Sequence, residues 1–172
     1  MKFNEILANL SKKVYQPVYF LMGDETYFID EICNYIANHV LNESEKEFNQ
    51  TVLYGKDTDV ATIISEAKRY PLMGAHSVVI VKEAQHIRKI EDLEVYLEQP
   101  LPSTILVICY KYKTLDKRKK FYKELSKKAI LFESKKLYEN QIPDWIQNYL
   151  SKHNYSIDQR LLFYFQNIWV PT

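Results

Sequence analysis

The residues that could do chemistry begin at Pro17–Ile36. Val18 to Met22 is an unbroken apolar run, Gly23 interrupts it, and Asp24 and Thr26 are both suitable helix N-caps. Ile29, Ile32, Cys33, Ile36 and Val40 follow at helical spacing. Strand, glycine turn and helix N-terminus form the setting in which α/β proteins bind phosphates. The side chains for that task are missing. A phosphate loop needs several glycines, a lysine for the phosphates and a Ser or Thr for magnesium, whereas Gly23 is followed by the carboxylates Asp24 and Glu25. In nucleoside triphosphatases of this class a later strand ends in a carboxylate that holds magnesium. The strand Val78–Val81 ends here in Lys82, which repels the metal. Gly23, Asp24, Glu25 and Lys82 therefore read as a degenerate nucleotide site, not expected to bind, and no cofactor is expected. His39, His76, His86 and His153 show no ligand spacing with each other or with Cys33 and Cys109, and no catalytic constellation is found.

Two further stretches carry binding chemistry. Lys111 to Lys128 holds nine Lys and Arg against Asp116 and Glu124. It could touch nucleic-acid phosphates with salt-sensitive affinity, or form the solvated face of a helix whose Phe121 and Leu125 point inward. The segment Tyr70-Pro71-Leu72-Met73-Gly74 follows a helix, and Pro71 with Gly74 keeps it out of any regular element. Leu72 and Met73 thus stand at a corner where polar residues are usual. They either fold back on their own core or enter a partner's pocket, where each contributes about 1.5–3 kcal/mol on full burial.

The elements that must position these residues alternate in kind. Phe3, Ile6, Leu7 and Leu10 predict a helix over residues 2–13. Strands are predicted at Val18–Met22, Phe48–Tyr54, Ser77–Val81, Thr104–Tyr110 and Ile130–Phe132. Helices are predicted from the Gly23 turn to near Leu41, over Thr58–Arg69, over Ile87–Leu97 and over Asp116–Lys128, with Asn42–Glu47 a polar connection. Alternating helices and continuously apolar strands imply an α/β fold, a mostly parallel five-stranded sheet with helices on both faces. Beyond Glu133 only helical patterns remain: Ile142 to Leu150, and one capped by Asp158. A first domain over 1–136 and the start of a small helical domain over 137–172 are expected, with the apolar Phe163–Thr172 built to pack on something further.

Bulk composition narrows the class. At 47% apolar, 26% charged and a net charge of +1, the chain is neither disordered nor a polycation seeking nucleic acid. Both cysteines lie in apolar runs and read as buried thiols of a reducing compartment. No run approaches the ~18 residues that span a bilayer, so a cytoplasmic protein without membrane contact is expected.

Pro17–Glu25 with Ile29-Asp30-Glu31, Leu72-Met73-Gly74 leading into Val78–Val81, and Lys117–Lys120 before Leu125 together resemble the delta subunit of bacterial DNA polymerase III, over residues 1–158. The resemblance implies an AAA+-like first domain that has lost ATP binding, and a subunit of the clamp loader that is no enzyme by itself but part of a DNA-directed DNA polymerase holoenzyme. It implies that Leu72 and Met73 are a hydrophobic wedge that enters a pocket on the sliding clamp (beta) and helps to open the ring. Tyr70, Pro71 and Gly74 would shape the corner. Other clamp-loader subunits would bind through a C-terminal domain lying beyond residue 172, and DNA contact is left open. Two other readings stand beside this one: an active AAA+-type ATPase at the first turn, and a DNA-binding module acting through 111–128.

Overall fold

A computed structural model describes residues 1–152, 154–158 and 160–161. By internal contacts the chain divides into Met1–Lys135 and Lys136–Thr172. The first unit holds five strands: β1 (Val18–Gly23), β2 (Gln50–Tyr54), β3 (Ser77–Lys82), β4 (Thr104–Lys111) and β5 (Ile130–Ser134). Their order across the sheet is β2-β3-β4-β1-β5, and every pair is parallel. This is the five-stranded parallel sheet that the alternation of apolar strands and helices predicts.

The continuous apolar strands are explained by two cores. Side chains alternate along a strand, so Val18, Phe20 and Met22 join one core while Tyr19 and Leu21 join the other. Helices α1 (Phe3–Ser11) and α2 (Thr26–His39) cover the second face through Ile6, Leu10, Ile29, Ile32 and Ile36. Across the sheet, α4 (Val60–Ala67), α5 (Glu94–Glu98) and α6 (Lys120–Lys128) bring Ile63, Tyr96, Leu97, Phe121 and Leu125 against β1, β3 and β4. Cys33 and Cys109 are both buried, unoxidised, in the core under α2.

Three local expectations are corrected. The polar connection after α2 contains a helix, α3 (Glu43–Asn49), so Phe48 and Asn49 are helical and β2 begins at Gln50. Asn42 caps α3 by accepting the Glu45 N–H at 2.9 Å, while the Glu45 carboxylate accepts the Asn42 N–H at 3.0 Å. The helix expected over Ile87–Leu97 is a 3₁₀ turn (Ile90–Leu93) followed by the short α5, because Lys89 adopts a left-handed φ of 54° that no α-helix accommodates. The basic helix starts at Lys120 rather than Asp116: Asp116 folds over its own turn, accepting from the Arg118 backbone and guanidinium at 3.0 Å each.

The second unit contributes α7 (Ile142–Lys152), on which Trp145 and Tyr149 stack with ring centroids 5.4 Å apart. The expectation for Phe163–Thr172 lies outside the described residues, as does most of the helix expected after Asp158, whose carboxylate accepts the Arg160 N–H at 2.7 Å.

Candidate functional site: two opposite edges of the sheet

Parallel strands give the sheet two chemically distinct edges. Gly23, Asp24 and Glu25 stand where β1 ends and α2 begins, the edge where α/β proteins hold ligands. Helix α2 presents its N-terminal N–H groups there, and the protein's own carboxylate meets one of them. Glu25 is the N-cap, in place of Asp24 or Thr26, and its Oε1 accepts the Tyr27 N–H at 3.2 Å. The neighbouring peptide groups bond within the protein too. Asp24 N–H donates to Ser134 O at 3.0 Å, Tyr112 N–H to Gly23 O at 2.9 Å, and the Ser134 hydroxyl to Glu25 O at 2.6 Å.

Gly23 has φ +129°, and a Cβ on it would lie 1.9 Å from the Ser134 carbonyl oxygen. The glycine serves close contact between β1 and β5, not approach of a phosphate. Lys82 ends β3 and, with β4 between β3 and β1, is not brought beside Gly23. The cation nearer the turn is Lys111 at the end of β4, whose ammonium sits 2.7 Å from Asp30 of α2. Among the described residues, no group of three His, Cys, Asp or Glu could hold a metal ion.

The opposite edge carries the corner. Residues 70–74 link α4 to the start of β3, and their apolar side chains face solvent: Tyr70 is 76% exposed, Leu72 70% and Met73 48%. Leu72 and Met73 therefore do not fold back on their own core. The corner is nonetheless held at its root. Tyr96 donates to Ala67 O at 3.3 Å in the last turn of α4, and Arg69 pairs with Glu66 at 2.9 Å.

Beneath the tip lies α3, the helix that sequence reading missed. Its last residue, Asn49, is 5% exposed, and its amide spans the corner. Leu72 N–H donates to Asn49 Oδ1 at 2.9 Å, and Asn49 Nδ2 donates to Met73 O. Gly74 adopts φ +71°, and a Cβ on it would lie 2.0 Å from Glu45 Oε1, the same Glu45 that completes the α3 cap. Pro71 and Gly74 supply the bend; Asn49 and Glu45 supply the seat. Phe48, 51% exposed, extends the apolar surface beside Tyr70 and Leu72.

The basic stretch is charge-balanced. Seven of its nine cations sit in ion pairs: Lys111 with Asp30, Lys117 with Glu133, Arg118 with Asp116, Lys119 with Glu91, Lys120 with Glu94, and Lys127 and Lys128 with Glu124. Phe121 and Leu125 are buried beneath it. This is the arrangement of a solvated helix face.

Fold and turn together define a class: α/β proteins with a five-stranded parallel sheet covered by helices on both faces, here with the N-terminus of the helix after β1 met by an internal carboxylate. Comparison with known proteins refines the class. The family described as DNA polymerase III, delta subunit, matches residues 19–135. The DNA polymerase III subunit delta of Bacillus subtilis (strain 168) is 33% identical over 154 residues, which cover 84% of this chain and 44% of the relative. The solved structure of the Bacillus subtilis DNA clamp loader delta protein superposes with a TM-score of 0.77 at 28% identity, covering 94% of this chain and 50% of that one. The chain belongs to the DNA polymerase III delta subunit family and spans about half the length of these relatives.

Proposed function

We propose that this chain is the clamp-engaging half of a clamp-loader delta subunit. Leu72 and Met73, shaped by Tyr70, Pro71 and Gly74, enter an apolar pocket on the sliding clamp and help to open the ring during DNA replication. The chain does so without ATP hydrolysis of its own and works as a non-catalytic part of the polymerase holoenzyme. It works beside other clamp-loader subunits in the cytoplasm; among the described residues no helix is long and apolar enough to cross a membrane. The proposed division of labour assigns 1–136 to clamp binding and 137–172 to the start of the helical second domain.

One observation carries this reading: two large apolar side chains, 70% and 48% exposed, on a corner whose backbone is fixed from below. An exposed Leu-Met pair on a mobile loop is unremarkable surface; the same pair on a fixed corner has already lost the freedom that binding would otherwise remove. Against the ATPase alternative stands a protein carboxylate, Glu25, on an N–H at the helix N-terminus, and against the DNA-binding alternative the pairing of most of its cations.

The test is the affinity of the 172-residue chain for the sliding clamp of the same bacterium, measured for the parent and for Leu72→Ala/Met73→Ala. Truncating two central apolar anchors costs at least ~2 kcal/mol, roughly thirtyfold in Kd. The circular dichroism of the variant should match the parent, since neither side chain belongs to a core. A folded double variant that binds the clamp as tightly as the parent overturns the proposal.

A further inference from the structure

We infer that Asn49 is a positioning residue for the tip: it presets the backbone of Leu72 and Met73 in the conformation that binds, without itself meeting the partner. The inference rests on the clamp-engaging reading above and deepens it.

Asn49 is one of four buried polar or charged side chains among the described residues. Its amide is used at both ends on a single target, accepting from Leu72 N–H at 2.9 Å and donating to Met73 O. An asparagine fits because the two backbone groups offer one donor and one acceptor, and a short side-chain amide answers both from one planar group. Asn49 is carried on the last turn of α3, whose start is fixed by the Asn42–Glu45 capping box, and the Glu45 carboxylate also abuts Gly74. A short, fully capped helix therefore touches three consecutive residues of the corner.

Leu72 and Met73 are exposed and their two hydrogen bonds to Asn49 are only partly buried, so removal of the side chain opens both backbone groups to water. What water cannot replace is the restriction of the corner to one conformation. A binding element whose competent form is only fractionally populated binds more weakly by that fraction. Loss of two hydrogen bonds that select one form should lower its population, and the association rate constant with it, by about tenfold. The dissociation rate constant, set by Leu72 and Met73 in the pocket, should change little.

The experiment compares the parent, Asn49→Ala, Asn49→Asp and Leu72→Ala/Met73→Ala as full 172-residue chains. It measures association and dissociation rates with the sliding clamp, hydrogen exchange of the Leu72 amide, and thermal unfolding. Asn49→Ala is expected to associate about tenfold more slowly, to exchange the Leu72 amide about tenfold faster, and to dissociate from the clamp at the parental rate. Asn49→Asp keeps the acceptor for Leu72 N–H and sets a carboxylate against Met73 O. It should retain protection of the Leu72 amide yet still bind more weakly, which provides a reading if the alanine variant fails to fold.

If the double tip variant loses clamp binding but Asn49→Ala binds as the parent does, the positioning role is wrong and the wedge stands. A purely structural Asn49 would reveal itself through a loss that tracks unfolding or appears only in dissociation, with Leu72 exchange unchanged, and that result also overturns the inference. If the double tip variant binds normally, the clamp-engaging reading itself fails and the inference with it.

Discussion

Gly23→Ala tests whether the turn after β1 is filled by protein rather than kept open for a phosphate. The new Cβ would stand 1.9 Å from the Ser134 carbonyl oxygen and 2.8 Å from Ser134 N, both backbone atoms, so no side-chain rotation relieves the contact. Ordinary van der Waals contact begins at 3.4 Å, so the end of β5 must move by about 1.5 Å. That movement breaks the Asp24 N–H bond to Ser134 O and the Ser134 hydroxyl bond to Glu25 O. Each is worth about 1 kcal/mol. Forcing a side chain into φ +129° adds about 1–3 kcal/mol of backbone strain. Alanine returns about 0.4–1 kcal/mol by restricting the unfolded chain. The losses outweigh the return, leaving a net destabilisation of roughly 2–4 kcal/mol. For a unit of this size that lowers Tm by about 7–14 °C. Thermal unfolding followed by circular dichroism reads the shift, and Ser134→Ala, which removes only the hydroxyl bond, should lower Tm by about 3–4 °C as a graded control. A Gly23→Ala protein within about 2 °C of the parent would refute the close-contact account of this glycine.

Three further outcomes are expected. A nucleotide site saturated a hundredfold above its Kd stabilises a protein by about 2.7 kcal/mol, so magnesium and ATP at millimolar concentration should leave Tm unchanged; a rise of about 5 °C or more restores the ATPase reading. Asp30→Asn removes the partner of the half-buried Lys111 ammonium and should cost about 1 kcal/mol, read as a lower midpoint in urea at unchanged slope; no change would mean the 2.7 Å pair is energetically idle. Glu91 is held below its ordinary carboxyl value, first by the hydrogen bond from the Lys119 ammonium. Its folded pKa lies below the unfolded one, so its contribution is complete above the ordinary value of 4.5 and is lost as pH falls through the folded value. Parent and Glu91→Gln should therefore differ slightly in Tm at neutral pH and converge in acid; a gap that widens in acid contradicts the pairing.

How much of this was legible in the sequence depends on which physical signal each element carries. β1, β3 and β4 announce themselves because strands buried on both faces must be apolar without interruption, and Val18–Met22, Val78–Val81 and Thr104–Cys109 are all buried. That a helix starts just after Gly23 was legible from Asp24 and Thr26 as cap candidates, although the capping role fell to Glu25. The corner, though not the exposure of its side chains, was legible from Pro71 and Gly74, which exclude regular structure on either side of Leu72 and Met73.

Its seat was not. Helix α3 has Phe48 as its single large apolar side chain, and that side chain is half exposed, so no apolar stripe marks the helix. The one local signal was the Asn42-x-x-Glu45 capping box, which fixes a helix start without any hydrophobic period. With α3 unseen, Asn49 read as the start of a strand, and its contact with residues 23 and 24 positions further along has no local trace. The 3₁₀ turn before α5 was read as helix for a related reason: Ile87, Ile90 and Leu93 share the three-residue spacing that both helix types satisfy, and all three are buried.

The proposal that the corner meets the sliding clamp is tested most directly by asking what Leu72 touches in the complex. Cys33 and Cys109 are buried, so a single cysteine introduced by Leu72→Cys can carry a photoactivatable cross-linker selectively. Irradiated with the sliding clamp, it should join the two chains, with the linkage mapping by mass spectrometry to residues lining one apolar pocket of the clamp. The same probe on an exposed residue of the opposite edge, Asp24→Cys, should not. Cross-links that are equal from the two positions, or that scatter over the clamp's charged surface, would contradict the account.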